Sequence, residues 1–288
     1  MNVVSSRADL ATARAALPGR TAVVMTMGAL HEGHRTLMRE ARKKADSLIV
    51  TIFVNPLQFG PDEDLDRYPR PFENDVAACR EEGVDLVFAP TPDVVYPDEP
   101  KVRVTAGPMG DVLEGATRPG HFDGVLTVVA KLLHLTRPDV ALFGQKDAQQ
   151  LALIRRMVRD LDFGAEIVQV QTVREPDGLA LSSRNVYLSP AERDAALVIS
   201  RALRNAESVA AQGPQAVIDA ARATLDAEPR FRLDYVALVD PDTLEGLDRS
   251  HERALLAIAG WSGSTRLIDN ATIAVGRPGQ TGMYSKET

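Results

Sequence analysis

A chain of 288 residues, 44% hydrophobic and 25% charged, has an ordinary globular balance and the length for one large α/β domain or two domains. Its net charge of −7 supplies no overall basic footprint for nucleic acid, and no apolar run reaches the ~18 residues needed to cross a membrane. The single cysteine, Cys79, excludes an internal disulfide and fits a reducing, cytoplasmic setting.

Residues 1–17 (MNVVSSRADLATARAAL) carry no signal-peptide core, and their apolar spacing predicts an amphipathic helix. TAVVMTM (21–27) predicts a buried strand, followed by a helix from Gly33 with Leu37, Met38, Ala41 and Ala45 on one face. SLIVTIFV (47–54) is the next strand. A polar, proline-rich segment (55–71) leads to a helix over 72–82, in which Cys79 reads as a half-buried structural thiol. VDLVFAP (84–90) and the shorter KVRVTAG (101–107) predict strands. A helix from Phe122 carries Val125, Val128, Val129, Leu132 and Leu133. DVALFG (139–144), a helix over 148–161 and AEIVQVQTV (165–173) close the series. Beyond it, Ser189 reads as an N-cap with Pro190 at the first helical position. A second helix follows Pro214, then strand-like runs at 232–240, 253–260 and 265–275, and a polar tail GRPGQTGMYSKET.

Alternating strands and helices with nearly continuous apolar strands predict a parallel sheet covered on both faces. The right-handed crossover rule then makes residues 1–173 a Rossmann-like, doubly wound α/β domain. Residues 174–288, two helices followed by strands, predict a smaller α+β domain.

Ligands of such sheets bind beyond the carboxyl ends of the strands. There the chain places His31 and His34 in TMGALHEGH, Asn55 and Gln58 in FVNPLQF, Lys146 and Asp147 in GQKD, and Ser182 to Asn185 in LSSRN. Gly28 and Gly33 permit a tight turn, and His34 would sit in a first helical turn, where free N–H groups favour an anion. HEGH is not HExxH, and no third ligand lies near, so zinc is disfavoured. GQKD lacks the Walker A spacing, although a lysine near a helix start suits a phosphate. Two hydroxyls beside an arginine suit polyphosphate oxygens. Each segment also has a plain alternative: a glycine-rich turn with solvated histidines, a loop lysine, a capped turn. His121, at a helix start in RPGHFDGV, is a weaker candidate, and DEDLD (62–66) reads as a solvated loop.

Taken in order, TMGALHEGH, FVNPLQF, YPRP, HFDGV, GQKDAQQL and LSSRN resemble the pantothenate synthetase (pantoate–β-alanine ligase) family, and HEGH resembles the HIGH signature of the wider nucleotidylyltransferase superfamily. The resemblance implies condensation of pantoate with β-alanine, driven by ATP through a pantoyl adenylate, with Mg²⁺, a cytoplasmic setting and a homodimer. It assigns ATP binding to Met27, Gly28, Ala29, Leu30, His31, Glu32, Gly33 and His34, to Gly144, Gln145, Lys146 and Asp147, to Val173, and to Leu181, Ser182, Ser183 and Arg184. Pantoate falls to Gln58 and Gln150, β-alanine to Gln58, and the chemistry to His34, His31, Lys146 and Arg184, with His34 matching a proton donor. Met25, Gln145 and Ala148 depart from the frequent proline, glutamate and aromatic. The metal ligands stay unassigned. An acyl adenylate needs shelter from water, so residues 55–71 or the second domain are expected to act as a lid. The rival readings are another nucleotidylyltransferase and a non-catalytic nucleotide-binding module.

Overall fold

The computed structural model describes residues 1–61, 63–248 and 250–275; the polar tail lies outside them. The chain folds as two compact units, one formed by Met1–Glu175 with Ala180–Asn185, the other by Pro176–Leu179 with the chain from Val186 onward. Leu181 to Arg184 therefore belong to the first unit.

The first unit holds six parallel strands: β1 (Asn2–Val4), β2 (Thr21–Thr26), β3 (Ser47–Ile52), β4 (Leu86–Phe88), β5 (Val140–Gly144) and β6 (Glu166–Val170). They run in the order β1-β4-β3-β2-β5-β6. Helices α1 (Arg7–Ala15), α2 (Glu32–Arg42), α3 (Phe72–Glu81), α4 (Pro92–Val95), α5 (Glu114–Thr117), α6 (His121–Thr136) and α7 (Ala148–Asp160) connect them. The apolar run of β2 is explained by its two covered faces. Val23 points into a core with Phe122, Val129 and Leu133 of α6 and Ile154 of α7, while Ala22 and Val24 point into another with Met38 and Ala41 of α2 and Cys79 of α3. The Rossmann-like doubly wound sheet is thus present. Cys79 is fully buried, and burial, with Asp75 nearby, pushes its thiol up to about 12, as suits an inert core residue.

Two local expectations fail. KVRVTAG forms no strand. Its backbone is satisfied by α6 side chains instead: Val104 N–H donates to Thr127 Oγ1 at 3.0 Å and Ala106 N–H to Asp123 Oδ1 at 2.8 Å. An alternating valine pattern there has no neighbouring strand to pair with, and Val102 is exposed. The N-terminus is not helical throughout. Asn2–Val4 pairs in parallel with β4, and the helix begins only after Ser6, whose side chain accepts from Asp9 N–H.

The second unit packs α8 (Pro190–Ser208) and α9 (Pro214–Asp226) with an antiparallel sheet of β7 (Phe231–Val239), β8 (Arg253–Ser262) and β9 (Thr265–Ala274), in that order. Ser189 caps α8, as the Ser-Pro pattern predicts, and the structure adds a reciprocal bond with Glu192. The smaller α+β architecture is as expected.

Candidate active site

The order of the strands locates the site. From β2 the chain goes one way to β3 and β4, and later returns to the other side of β2 as β5. The carboxyl ends of β2 and β5 therefore flank the topological switch point, where an open α/β sheet leaves a crevice. TMGALHEGH leaves β2 there and GQKD leaves β5. One cleft in this unit is lined by Met27, His31, Gly33, His34, Gln58, Gly144, Lys146, Asp147, Gln150, Val173 and Leu181 to Arg184.

The loop after β2 has an unusual backbone. Gly28 has φ +85° and Ala29 φ +51°. A Cβ on residue 28 would stand 2.9 Å from Asp75 Oδ2, so glycine is required twice over. The left-handed alanine is held by the same carboxylate: Ala29 N–H and Leu30 N–H donate to Asp75 at 2.9 and 2.7 Å. Asp75 is only 2% exposed, at the start of α3, and the sequence reading missed it. An acid in a first helical turn reads as dipole compensation, and nothing local marks it as a clamp for a loop 46 residues away.

His31 is the N-cap of α2. Its Nδ1 accepts from Gly33 N–H at 3.1 Å, and His34 Nδ1 accepts from His31 N–H at 3.3 Å. Two histidines thus perform the reciprocal capping usually done by Ser and Glu. Because both Nδ1 atoms accept, the neutral rings carry their proton on Nε2, a donor suited to an anion. Burial, followed by His31 and Lys146, pushes His34 down to about 3; burial and then Lys146 also lower His31. The ring centroids lie 4.1 Å apart.

Gln58 follows β3 in a short 3-10 turn, Pro56–Gln58, capped by Asn55. Its backbone carbonyl meets His121 Nδ1 at 2.8 Å and accepts from Arg118 Nη2 at 3.3 Å. His121, lowered to about 4 chiefly by burial and then by Arg118, is therefore neutral. Of the adjacent glutamines on α7, Gln150 lines the cleft. Gln149 is buried instead and staples the 109–114 loop through Met109 O, Val112 O and Glu114 N–H.

Leu181 is brought to Val173 by its N–H···O=C bond of 3.0 Å. Arg184 donates to Asp64 at 2.9 and 3.2 Å, and Arg118 pairs with Glu63, so two cleft arginines engage the segment after Gln58. Neither Asp64 nor Arg118 was singled out from sequence, because an acidic run and an arginine before Pro-Gly look like solvated loop. Among the other residues assigned to ATP, Glu32 is exposed and paired with Arg39, and Gln145 is buried. Ala29 and Leu30 contribute the clamped backbone.

Among the described residues no cluster of three His, Cys, Asp or Glu is arranged to hold a metal, and no helix is long and apolar enough to cross a membrane.

A family model described as pantoate-β-alanine ligase matches residues 2–272. Pantothenate synthetase of Salinispora arenicola is 58% identical over 275 residues, covering 94% of this chain and 97% of that protein. The enzyme of Thermobifida fusca is 58% identical over 268 residues, with 89% and 90% covered. The crystal structure of pantothenate synthetase from Thermus thermophilus superimposes with a TM-score of 0.89 at 50% identity, over 94% of this chain and 99% of that one. Pantoate-β-alanine ligase from Francisella tularensis, complexed with β-γ ATP and β-alanine, gives a TM-score of 0.78 at 34% identity, over 94% and 97%. Likeness that runs through both units, and not only through the HxGH turn, places the chain in the pantoate–β-alanine ligase family.

Proposed function

We propose that this ligase runs both of its half-reactions in the cleft at the β2/β5 switch point. The carboxylate of pantoate attacks the α-phosphorus of ATP, the P–O bond to the leaving pyrophosphate breaks, and the mixed anhydride forms. The amine of β-alanine then attacks the acyl carbon, releasing AMP. The observation that carries this reading is the convergence of His31, His34, Lys146 and Arg184 with Gln58 and Gln150 in one cleft.

Two anions must approach each other, so the site has to neutralise charge. Lys146 and Arg184 supply formal positive charge. His31 and His34 supply neutral Nε2–H donors at the start of α2, whose dipole favours phosphate. His34 enters as a hydrogen-bond donor and not as a resident imidazolium, because its cation is disfavoured before an anion arrives. Met27 to Gly33, Gly144 to Asp147, Val173 and Leu181 to Ser183 complete the ATP cradle. Gln58 and Gln150 hold pantoate, and Gln58 also meets β-alanine. Mg²⁺ would arrive with the nucleotide and supply charge neutralisation on its phosphates. Asp147, a carboxylate among the cleft-lining residues, suits an ion that prefers phosphate oxygens, water and few protein ligands. A homodimer in the cytoplasm belongs to the same reading.

The decisive experiment is pantoate-dependent exchange between ATP and pyrophosphate, followed by β-alanine-dependent release of AMP. A nucleotidylyltransferase would leave the nucleotide on its product, and a binding module would turn nothing over. Gln58→Ala is expected to raise the KM for pantoate by about 10-fold or more, since a substrate hydrogen bond is lost in a partly buried site. Unchanged pantoate affinity would remove that assignment.

The segment 55–71 is proposed as the cover that keeps water from the adenylate. Its Glu63 and Asp64 already hold Arg118 and Arg184. Crystals with nucleotide should show Arg184 turned from Asp64 to phosphate and the segment displaced; superimposable segments with and without nucleotide would count against this.

A further inference from the structure

The amide of Gln58 has a polarity, and Asn55, held by two backbone groups and the Tyr96 hydroxyl, sets it. Asn55 is 1% exposed. Leu57 N–H donates to its Oδ1 at 3.3 Å, and its Nδ2 donates to the Gly124 carbonyl at 3.1 Å. A backbone donor and a backbone acceptor therefore identify the two ends of this amide. Asn55 Nδ2 also donates to Gln58 Oε1 at 3.0 Å. The carbonyl of Gln58 is engaged there, and its Nε2 lies on the side of Met27, whose sulfur is 3.2 Å away. α6 approaches this closely because residue 124 has no side chain: a Cβ would stand 2.1 Å from Leu57 O and 2.8 Å from Gln58 N.

Tyr96, just beyond α4, completes the arrangement. Its hydroxyl donates to Asn55 Oδ1 at 3.0 Å. Its ring lies 6.1 Å from that of Phe53, and the Lys131 ammonium sits 5.3 Å above it. Burial holds the phenol well above its usual range, so the group remains a donor throughout the physiological range. Tyr96 does not line the cleft and reaches Gln58 only through Asn55.

We propose that Tyr96 is a positioning residue for recognition of the acid substrate: through Asn55 it locks Gln58 with Nε2–H toward the cleft. Gln58 then serves as a donor and selects a substrate oxygen with a free lone pair, a carboxylate or hydroxyl oxygen of the hydroxy acid. A flipped Gln58 would present its carbonyl, which repels a carboxylate oxygen and can only accept from a hydroxyl. This inference rests on the assignment of Gln58 to pantoate.

Steady-state kinetics of full-length Tyr96→Phe test it. The ring and its packing stay, and only the hydroxyl is lost. The KM for pantoate should rise about 3- to 10-fold, less than in Gln58→Ala, because Leu57 N–H and the Gly124 carbonyl still hold Asn55. The KM for ATP should move by less than about twofold, and Tyr96→Phe should add nothing in a Gln58→Ala background. Equal rises for pantoate and ATP, or full additivity with Gln58→Ala, would indicate general loosening and overturn the role. A wild-type pantoate KM in Tyr96→Phe, with a raised one in Gln58→Ala, overturns it while leaving the Gln58 assignment standing. A wild-type pantoate KM in Gln58→Ala overturns the assignment itself and the inference with it.

Discussion

His34→Ala should slow adenylate formation at least ~100-fold in a single turnover with saturating ATP and pantoate, the usual scale for losing one preorganised donor at developing charge. The ring does two things at once. Its Nδ1 accepts His31 N–H and closes the cap of α2, which commits the ring proton to Nε2. Burial beside His31 and Lys146 keeps it neutral, so it brings a donor without adding another buried cation. His34→Asn separates the two contributions. An asparagine at this position can still accept from His31 N–H, but it cannot place a donor where Nε2 stands. Loss of rate in both variants assigns the effect to the Nε2 donor; recovery in His34→Asn would assign it to the cap. A near-wild-type rate in His34→Ala would remove His34 from the chemistry altogether.

Lys146→Ala should lower the same rate by a similar factor, at least ~100-fold, because it removes formal charge facing two approaching anions. Lys146 stands in the turn directly after β5, with a side chain 22% exposed and its ammonium 3.7 Å from Asp147. Its field reaches across the switch point, since it lowers the pKa of both His31 and His34. A second readout follows. In Lys146→Ala the pKa of His31 should rise toward its ordinary value, measurable by NMR titration of the imidazole without any substrate. A wild-type adenylation rate would sink the catalytic role. An unmoved His31 titration would show that the two groups are not electrostatically coupled. Lys146→Arg should recover only part of the rate, because the rigid planar fork replaces a compact point charge.

How legible each part was depended on how local its cause is. The central strands were legible because both faces of the first unit's sheet are covered, which forces unbroken apolar runs such as AVVM and LIVT. The cap of α8 was legible because Ser189 and Pro190 are neighbours in sequence. KVRVTAG misled because its alternation mimics a strand, while its N–H groups find Thr127 and Asp123 on α6, contacts between residues 17 to 23 positions apart. Asn2–Val4 was missed because three residues carry too little periodicity to outweigh the helix that follows.

The same division runs through the site. From sequence alone one could place His31, His34, Lys146, Gln58 and Arg184 beyond the ends of parallel strands, because strand direction and crossover handedness leave few alternatives. The paired glutamines Gln149 and Gln150 look equivalent in sequence, and only packing of α7 sends one to the cleft and the other to the 109–114 loop. Asp75 clamping the Gly28–Leu30 turn, Arg184 held by Asp64, and the Tyr96–Asn55–Gln58 relay are likewise tertiary. Patterning by period and by turn chemistry determined which elements form and which ends carry polar groups. Burial and long-range hydrogen bonding decided which of those groups is neutral, which is already paired, and which end of an amide faces the cleft.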